Sequence, residues 1–413
     1  MRQRRRKPVN WFAVVILLAL IAFVVYVNVV IGPTIQQQLG PTPTVTRSPE
    51  SYLTEAEALF EEGRLSQALQ VYEEVILLTP DDPGVYVSLA RVQLFAGLYQ
   101  EALTNTENAL LLNPNNSMAH ALRGSAFIQL GEYLLAEAPI QRALEIEPNN
   151  GIAHAFRAEL LGNMYLNNIG PFDALDQAIV ASRDAVQLAP SAIESHRARG
   201  FILEITQNYE DAILEYQAAI AINGRISDLH LSLGRMYRAT GALPQAVEEY
   251  TLANTLNPSD PRPDLYTSRV YIFTGEYGKA AQYAQQAVQD APGDGYLRGN
   301  WGLALVQNYQ TEEAAVQFAL AIYGGSDENG ATVEPVIFDG TDGRITEYYY
   351  TYALLLARAQ RCGEALPVAQ QILGTASNDE VAVYNAQEAL RLCTENLEQD
   401  DGQAATAEPA SQP

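Results

Sequence analysis

Four histidines, His120, His154, His196 and His230, are all the imidazole this 413-residue chain has, and they stand 34, 42 and 34 residues apart. Imidazoles at a regular interval raise the question of a shared metal ion. Zinc draws each ligating nitrogen to within about 2.1 Å, so the answer depends on how closely the chain between them lets the rings approach. The two cysteines, Cys362 and Cys393, form the other reactive set, and in an oxidising compartment an even pair points to a disulfide. Asp327, Asp339 and Asp342 offer hard oxygen ligands, but their spacing fits no calcium-binding helix–loop–helix. There is no G-x-S-x-G elbow, no H-E-x-x-H pair and no phosphate-binding loop. The chain is therefore expected to have no catalytic residues, no metal and no cofactor.

What positions these residues is a repeat. LNPNN at 112–116 and IEPNN at 146–150 carry prolines 34 residues apart, and the series Pro80, Pro114, Pro148, Pro190, Pro258, Pro292 continues at intervals of 34, 34, 42, 68 and 34. A fixed period of this length marks stacked supersecondary units. Residues 49–373 divide into nine such units, each with two helically periodic apolar stretches around a turn that Gly63, Gly97, Gly131, Gly241 and Gly275 mark, and a proline near the end. Alanine holds the twentieth place of every unit, from Ala68 and Ala102 to Ala314 and Ala365, and a small residue the eighth, as at Ala90, Gly124, Gly234 and Gly302. Small side chains at matched places let two helix axes approach closely.

With an aromatic ring at place 24 (Tyr72, Tyr216, Tyr250, Phe318) and proline at place 32, this pattern resembles the tetratricopeptide repeat over most of the chain. The resemblance implies an all-α superhelical solenoid of about nine helix–turn–helix repeats spanning 49–397, closed by a capping helix at 379–397. Departures are an extra eight residues in the fourth unit, around GNMYLNNIGPF, and a Gly/Asp-rich insert at 324–344 that has room for a short hairpin around TVEPVIF. Each histidine then holds the fourth place of units three to six. Equivalent residues on neighbouring helices lie about 8–10 Å apart or more, too far to share a metal, so the expected role is a half-polar ring packed on its neighbours, as at Tyr52 and Tyr86 in the same place. Cys362 opens the second helix of unit nine and Cys393 lies near the far end of the antiparallel capping helix, so a disulfide between them is expected.

In tetratricopeptide proteins the first helix of each unit lines a concave groove, with places 2, 5, 9, 12 and 13 pointing into it. Independently of that resemblance, spacings of three and four put these places on one helical stripe. First helices of units two to eight carry ten arginines against the acids Glu159, Glu194, Glu204, Asp228 and Asp264, while the second helices hold most of the remaining acids. Arg91, Arg197, Arg235, Arg238, Arg262 and Arg269 fall on groove places. A guanidinium fork suits carboxylates. It can be satisfied by second-helix acids of the same molecule or by a ligand. The site expected is an Arg-bearing groove for a protein or peptide with acidic or C-terminal carboxylate groups.

The formal net charge is −24, and residues 1–10 hold five bases and no acid. A body this acidic repels phosphates, so no nucleic-acid partner is expected. The basic tip, 1–10, precedes WFAVVILLALIAFVVYVNVVI at 11–31, a run of 21 residues without a charge that reads as one transmembrane helix. The basic flank places the N-terminus inside the cytoplasmic (plasma) membrane and the repeats outside. Residues 32–48 read as a Pro/Thr-rich linker and 398–413 as a disordered tail. The function expected is a membrane-tethered scaffold or adaptor. The alternative is an assembly factor for secreted polysaccharide or surface structures that meets glycan, or an enzyme that makes it, through some of the chain's 23 tyrosines.

Overall fold

The structure, a computed structural model, describes residues 11–26 and 47–406. The chain divides into two compact units, Met1–Thr54 and Glu55–Pro413. In the first, α1 (Trp11–Tyr26) is a 16-residue helix of apolar side chains. Among the described residues no helix is long and apolar enough to cross a membrane. Of the single spanning helix expected at 11–31, α1 covers residues 11–26, while residues 27–31, like the linker at 32–46 and the basic tip, lie outside the described residues.

The rest is a succession of antiparallel helix pairs. They are α2 (Pro49–Glu61) with α3 (Leu65–Leu78), α4 (Pro83–Phe95) with α5 (Tyr99–Leu112), and α6 (Ser117–Gln129) with α7 (Tyr133–Ile146). Next come α8 (Gly151–Leu166) with α9 (Ala174–Leu188), α10 (Ile193–Ile205) with α11 (Tyr209–Ile222), and α12 (Ser227–Ala239) with α13 (Leu243–Leu256). The last three are α14 (Arg262–Thr274) with α15 (Tyr277–Asp290), α16 (Gly295–Gln307) with α17 (Thr311–Tyr323), and α18 (Gly343–Arg358) with α19 (Cys362–Thr375). The closing helix α20 (Glu380–Thr406) runs nine residues past the expected end at 397, through residues read as a disordered tail. Its sequence there, EQDDGQAAT, is polar but holds no proline, so nothing in the backbone stops the helix. The extra residues of unit four lengthen α8 to 16 residues and form the 167–173 connection.

The repeated pentapeptide is a helix start. Asn116 and Asn150 each accept a hydrogen bond from the backbone N–H three residues on, at 3.0 Å in both cases, capping α6 and α8. The small eighth place receives the ring or branched side chain of place 24. A Cβ added to Gly234 would stand 2.5 Å from the Tyr250 ring, and one added to Gly302 2.8 Å from Phe318. Tyr216, Tyr250 and Phe318 are fully buried in these notches, each contributing about 1.5–3 kcal/mol of apolar burial.

The tight turns inside the hairpins need a left-handed residue. Gly97 and Gly131 supply it in units two and three at φ 77°. Where glycine is missing, the same place is taken by Asn168, Gln207, Tyr309 and Gln360, at φ 54–62°. An L-residue there is strained by about 1–2 kcal/mol. Gln207 and Gln360 are exposed, so Gln207→Gly and Gln360→Gly are each expected to stabilise the fold by about 0.5–1 kcal/mol in urea unfolding. A loss of stability in both would show that the side chains, not the backbone, hold these turns.

The insert carries a two-residue antiparallel hairpin, β1 (Gly325–Ser326) with β2 (Thr332–Val333), pairing Gly325 with Val333 and Ser326 with Thr332. The short hairpin expected around TVEPVIF takes only Thr332 and Val333 of that stretch, because the following amides turn elsewhere: Glu334 N–H donates to Gly293 O at 2.9 Å and Val336 N–H to Ala321 O at 2.8 Å. The three aspartates considered as ion ligands have other work. Asp327 pairs with Arg298 at 2.6 Å and accepts backbone N–H groups of Asn329 and Ala331, Asp339 caps the turn at Thr341, and Asp342 caps α18.

Candidate functional site: the concave helix face

The fourth place turns out to be a clamp between units. His120, His154 and His196 each set Nε2 within 2.8–3.0 Å of the carbonyl of Pro114, Pro148 and Pro190, six residues back, and His230 does the same to Gly224 at 2.9 Å. Arg298 repeats the contact to Pro292 O at 2.8 Å. The second nitrogens of His196 and His230 meet Glu215 at 2.7 Å and Glu249 at 2.6 Å. Burial lowers the His230 pKa, but the Glu249 carboxylate and the Gly224 carbonyl outweigh it and raise it overall. The histidines thus tie each first helix to the loop before it.

Asp264 holds this place in unit seven with an acceptor in place of a donor. It is 2% exposed, and both its oxygens accept from Asn254 Nδ2, at 3.1 and 3.2 Å. Burial, reinforced by the carboxylate of Asp290, pushes its pKa up to about 6. The unfolded chain holds that proton with a pKa near 3.9. The folded state therefore binds it more tightly, and the associated stability is complete below about pH 4 and lost as pH rises to about 6. Asp264→Asn is expected to gain about 2–3 kcal/mol at neutral pH and to flatten the acid side of a stability–pH curve. Chemical unfolding across that range checks it; an equal loss at every pH would contradict the assignment.

The six arginines expected in the groove do lie on first helices, and four of them already hold carboxylates of this chain. Arg91 on α4 forks onto Glu194 of α10, at 2.6 and 2.9 Å. Arg197 on α10 forks onto Glu159 of α8, at 2.8 and 3.0 Å. Arg235 on α12 grips Glu204 of α10, at 3.1 and 2.9 Å. Arg262 at the start of α14 reaches Asp228 of α12 and Asp260 before it, both at 2.7 Å. Arg269 has neutral partners on α16, the Tyr296 hydroxyl at 2.9 Å and Asn300 Oδ1 at 3.2 Å. Arg238 is exposed beside the Tyr250 hydroxyl and forms no ion pair among the described residues. Apart from Asp260 in the loop before α14, the acids that satisfy the forks are first-helix acids of neighbouring or distant units, not second-helix acids.

Two of these pairs are buried struts. Glu194 is 1% exposed; burial raises its carboxyl pKa, but the Arg91 guanidinium outweighs that and holds it below the ordinary value. Arg91 and Glu194 lie 103 residues apart, so this contact folds units one and two back onto units five and six. It is not alone there. Phe60 and Phe95 pack beside Ile193, Ile226 and Leu229, and Asn223 Nδ2 donates to Phe60 O at 2.8 Å. The Arg91 and Arg197 guanidiniums stand 5.4 and 5.8 Å from the Phe60 and Phe95 ring centres. The first-helix face is therefore bridged between units one and two and units five and six, where an open groove was expected, and among the described residues neither Arg238 nor Arg269 takes part in those contacts.

Cys362, the first residue of α19, and Cys393 on α20 form a disulfide with Cα atoms 5.4 Å apart.

Three tetratricopeptide-repeat models match the sequence, over residues 59–125, 119–150 and 206–261. No curated protein matches it. Among solved structures, the human IFIT1 dimer with m7Gppp-AAAA has 15% identity and a TM-score of 0.48 over 69% of this chain and 74% of that one. The human IFIT1 dimer with PPP-AAAA gives 17%, 0.46, 69% and 74%. PilW, a type IV pilus biogenesis factor, gives 18%, 0.43, 49% and 90%. The chain carries tetratricopeptide repeats in an all-α solenoid.

Proposed function

We propose that this protein is a membrane-tethered scaffold that binds partner proteins on its first-helix face, between units six and eight, with Arg238 and Arg269 as the carboxylate contacts. The observation that carries the reading is the unequal use of the arginines. Four are committed to internal carboxylates, whereas among the described residues Arg238 is exposed without an ion pair and Arg269 has only neutral hydrogen-bond partners. An acidic segment of a partner gains an ion pair at these two without breaking one. The role is binding, not turnover, as suits an array of repeats with a long accessible face.

The tether is residues 11–31. Its support is the uncharged run itself, its five-base flank and the disulfide at the far end, which belongs in an oxidising compartment outside the cytoplasmic membrane. Crosslinking in native membranes followed by capture tests the partner site. A protein held by the wild type is expected to be lost by Arg238→Glu/Arg269→Glu of unchanged thermal stability, and retention by both would remove the site from this face. Extraction tests the tether: the full chain should need detergent, and release by alkaline carbonate alone would refute it.

A further inference from the structure

A cleft of about 720 Å³ lies between the second helices α15 and α17, floored by α16 and closed at one end by the turn of the β1–β2 hairpin. Its chemistry differs from that of the arginine-bearing face. Its two guanidiniums are each paired with a carboxylate of this chain, Arg298 with buried Asp327 at 2.6 Å and Arg361 with exposed Glu364 at 2.7 Å. The other polar groups are the amides of Gln285, Gln289 and Asn329 and the carboxylates of Glu313 and Glu328, set among apolar side chains such as Val288 and Leu320.

Two donors in its wall are unused. Gln317 is 7% exposed and spends its carbonyl on Arg298 Nη1 at 3.0 Å. Trp301 is 8% exposed. Neither the Gln317 amide N–H groups nor the Trp301 indole N–H donates to any group among the described residues. Neither nitrogen is sealed from solvent, so each can donate to water or to a bound acceptor. Tyr323 stands at the rim with 59% of its surface exposed, offering a ring face.

We infer that this cleft is a binding site for a neutral oligosaccharide, its hydroxyl oxygens accepting from Gln317 and Trp301 and a sugar face lying on Tyr323. Uncharged amides, carboxylate acceptors and an aromatic platform match a ligand with many hydroxyls and no formal charge, and the volume is that of a typical small-ligand pocket. An extended peptide is the competing occupant, since Val288, Val316 and Leu320 also line the cleft. The site gives chemistry to the glycan alternative that the sequence allows and is independent of the partner contacts at Arg238 and Arg269.

Trp11 and Trp301 are the chain's two tryptophans, so full-length Trp11→Phe protein in detergent reports on the cleft by fluorescence. The probes are chito-, cello-, malto- and laminarihexaose, with a neutral peptide as the competing class. The expected result is a saturable change with at least one sugar. Gln317→Glu keeps an acceptor for Arg298 but removes the donor, and should weaken binding about three- to tenfold; Tyr323→Ala should weaken it similarly. Arg238→Glu/Arg269→Glu should leave the sugar titration unchanged, which separates this test from that of the partner site. No response to any of the four sugars, a response to the peptide alone, or unchanged affinity in both cleft variants would overturn the assignment.

Discussion

Arg91→Leu is expected to lower the stability of the solenoid by about 3 kcal/mol, the lower end of the range for breaking a buried ion pair because the Arg91 side chain keeps about a third of its surface in water. The charge left behind is the reason. Glu194 is 1% exposed and would lose the fork that keeps it ionised. Its carboxyl pKa must then rise, so the variant should recover stability as pH falls, which the wild type does not do through this group. Arg91→Leu/Glu194→Leu should regain most of the loss, because no buried charge remains. Urea unfolding of the two variants measures both effects. A double variant as weak as the single one would mean that the fork itself, not the stranded carboxylate, holds units one and two against unit five.

Removing the disulfide should act at the other end. Cys362→Ser/Cys393→Ser opens a closure of 31 residues, for which the chain-entropy model gives about 3–4 kcal/mol. In a stacked array such a loss stays near the terminal unit. Hydrogen exchange is therefore expected to show α19 and α20 deprotected while α10–α13 keep their wild-type protection. Uniform deprotection along the chain would show that the solenoid unfolds as one body and that the cap governs all of it.

These two predictions also divide what the sequence told from what it did not. The helix pairs, their turns and the notch at places 8 and 24 were legible because each repeats, and a repeated choice of residue reflects a repeated local geometry. The histidine ladder was legible as a shared place but not as a hydrogen bond, since the carbonyl it meets carries no side-chain signature. The partners of Arg91, Arg197, Arg235 and Arg262 were within reach: Glu194, Glu159, Glu204 and Asp228 occupy the same stripe of places on first helices. An acid and a base on one stripe can meet each other before either meets a ligand, and that symmetry was the available signal. The fold-back of units one and two was not available. A contact over 103 residues between single side chains has no period, and it depends on the summed rotation of the units between them. The length of α20 has little signature, because EQDDGQAAT is polar like a disordered segment yet contains no helix-breaking proline.

The central claim is that the bridged part of the first-helix face is structural and that partners meet the face at Arg238 and Arg269. Site-specific photocrosslinking in native membranes tests this most directly, with the photoreactive residue placed at 238 on α12, at 95 under the bridge, or at 180 on the exposed side of second helix α9. The account predicts a discrete adduct from 238 and none from 95 or 180. An adduct from 180 in place of 238 would contradict it, moving partner binding to the outer face of the solenoid.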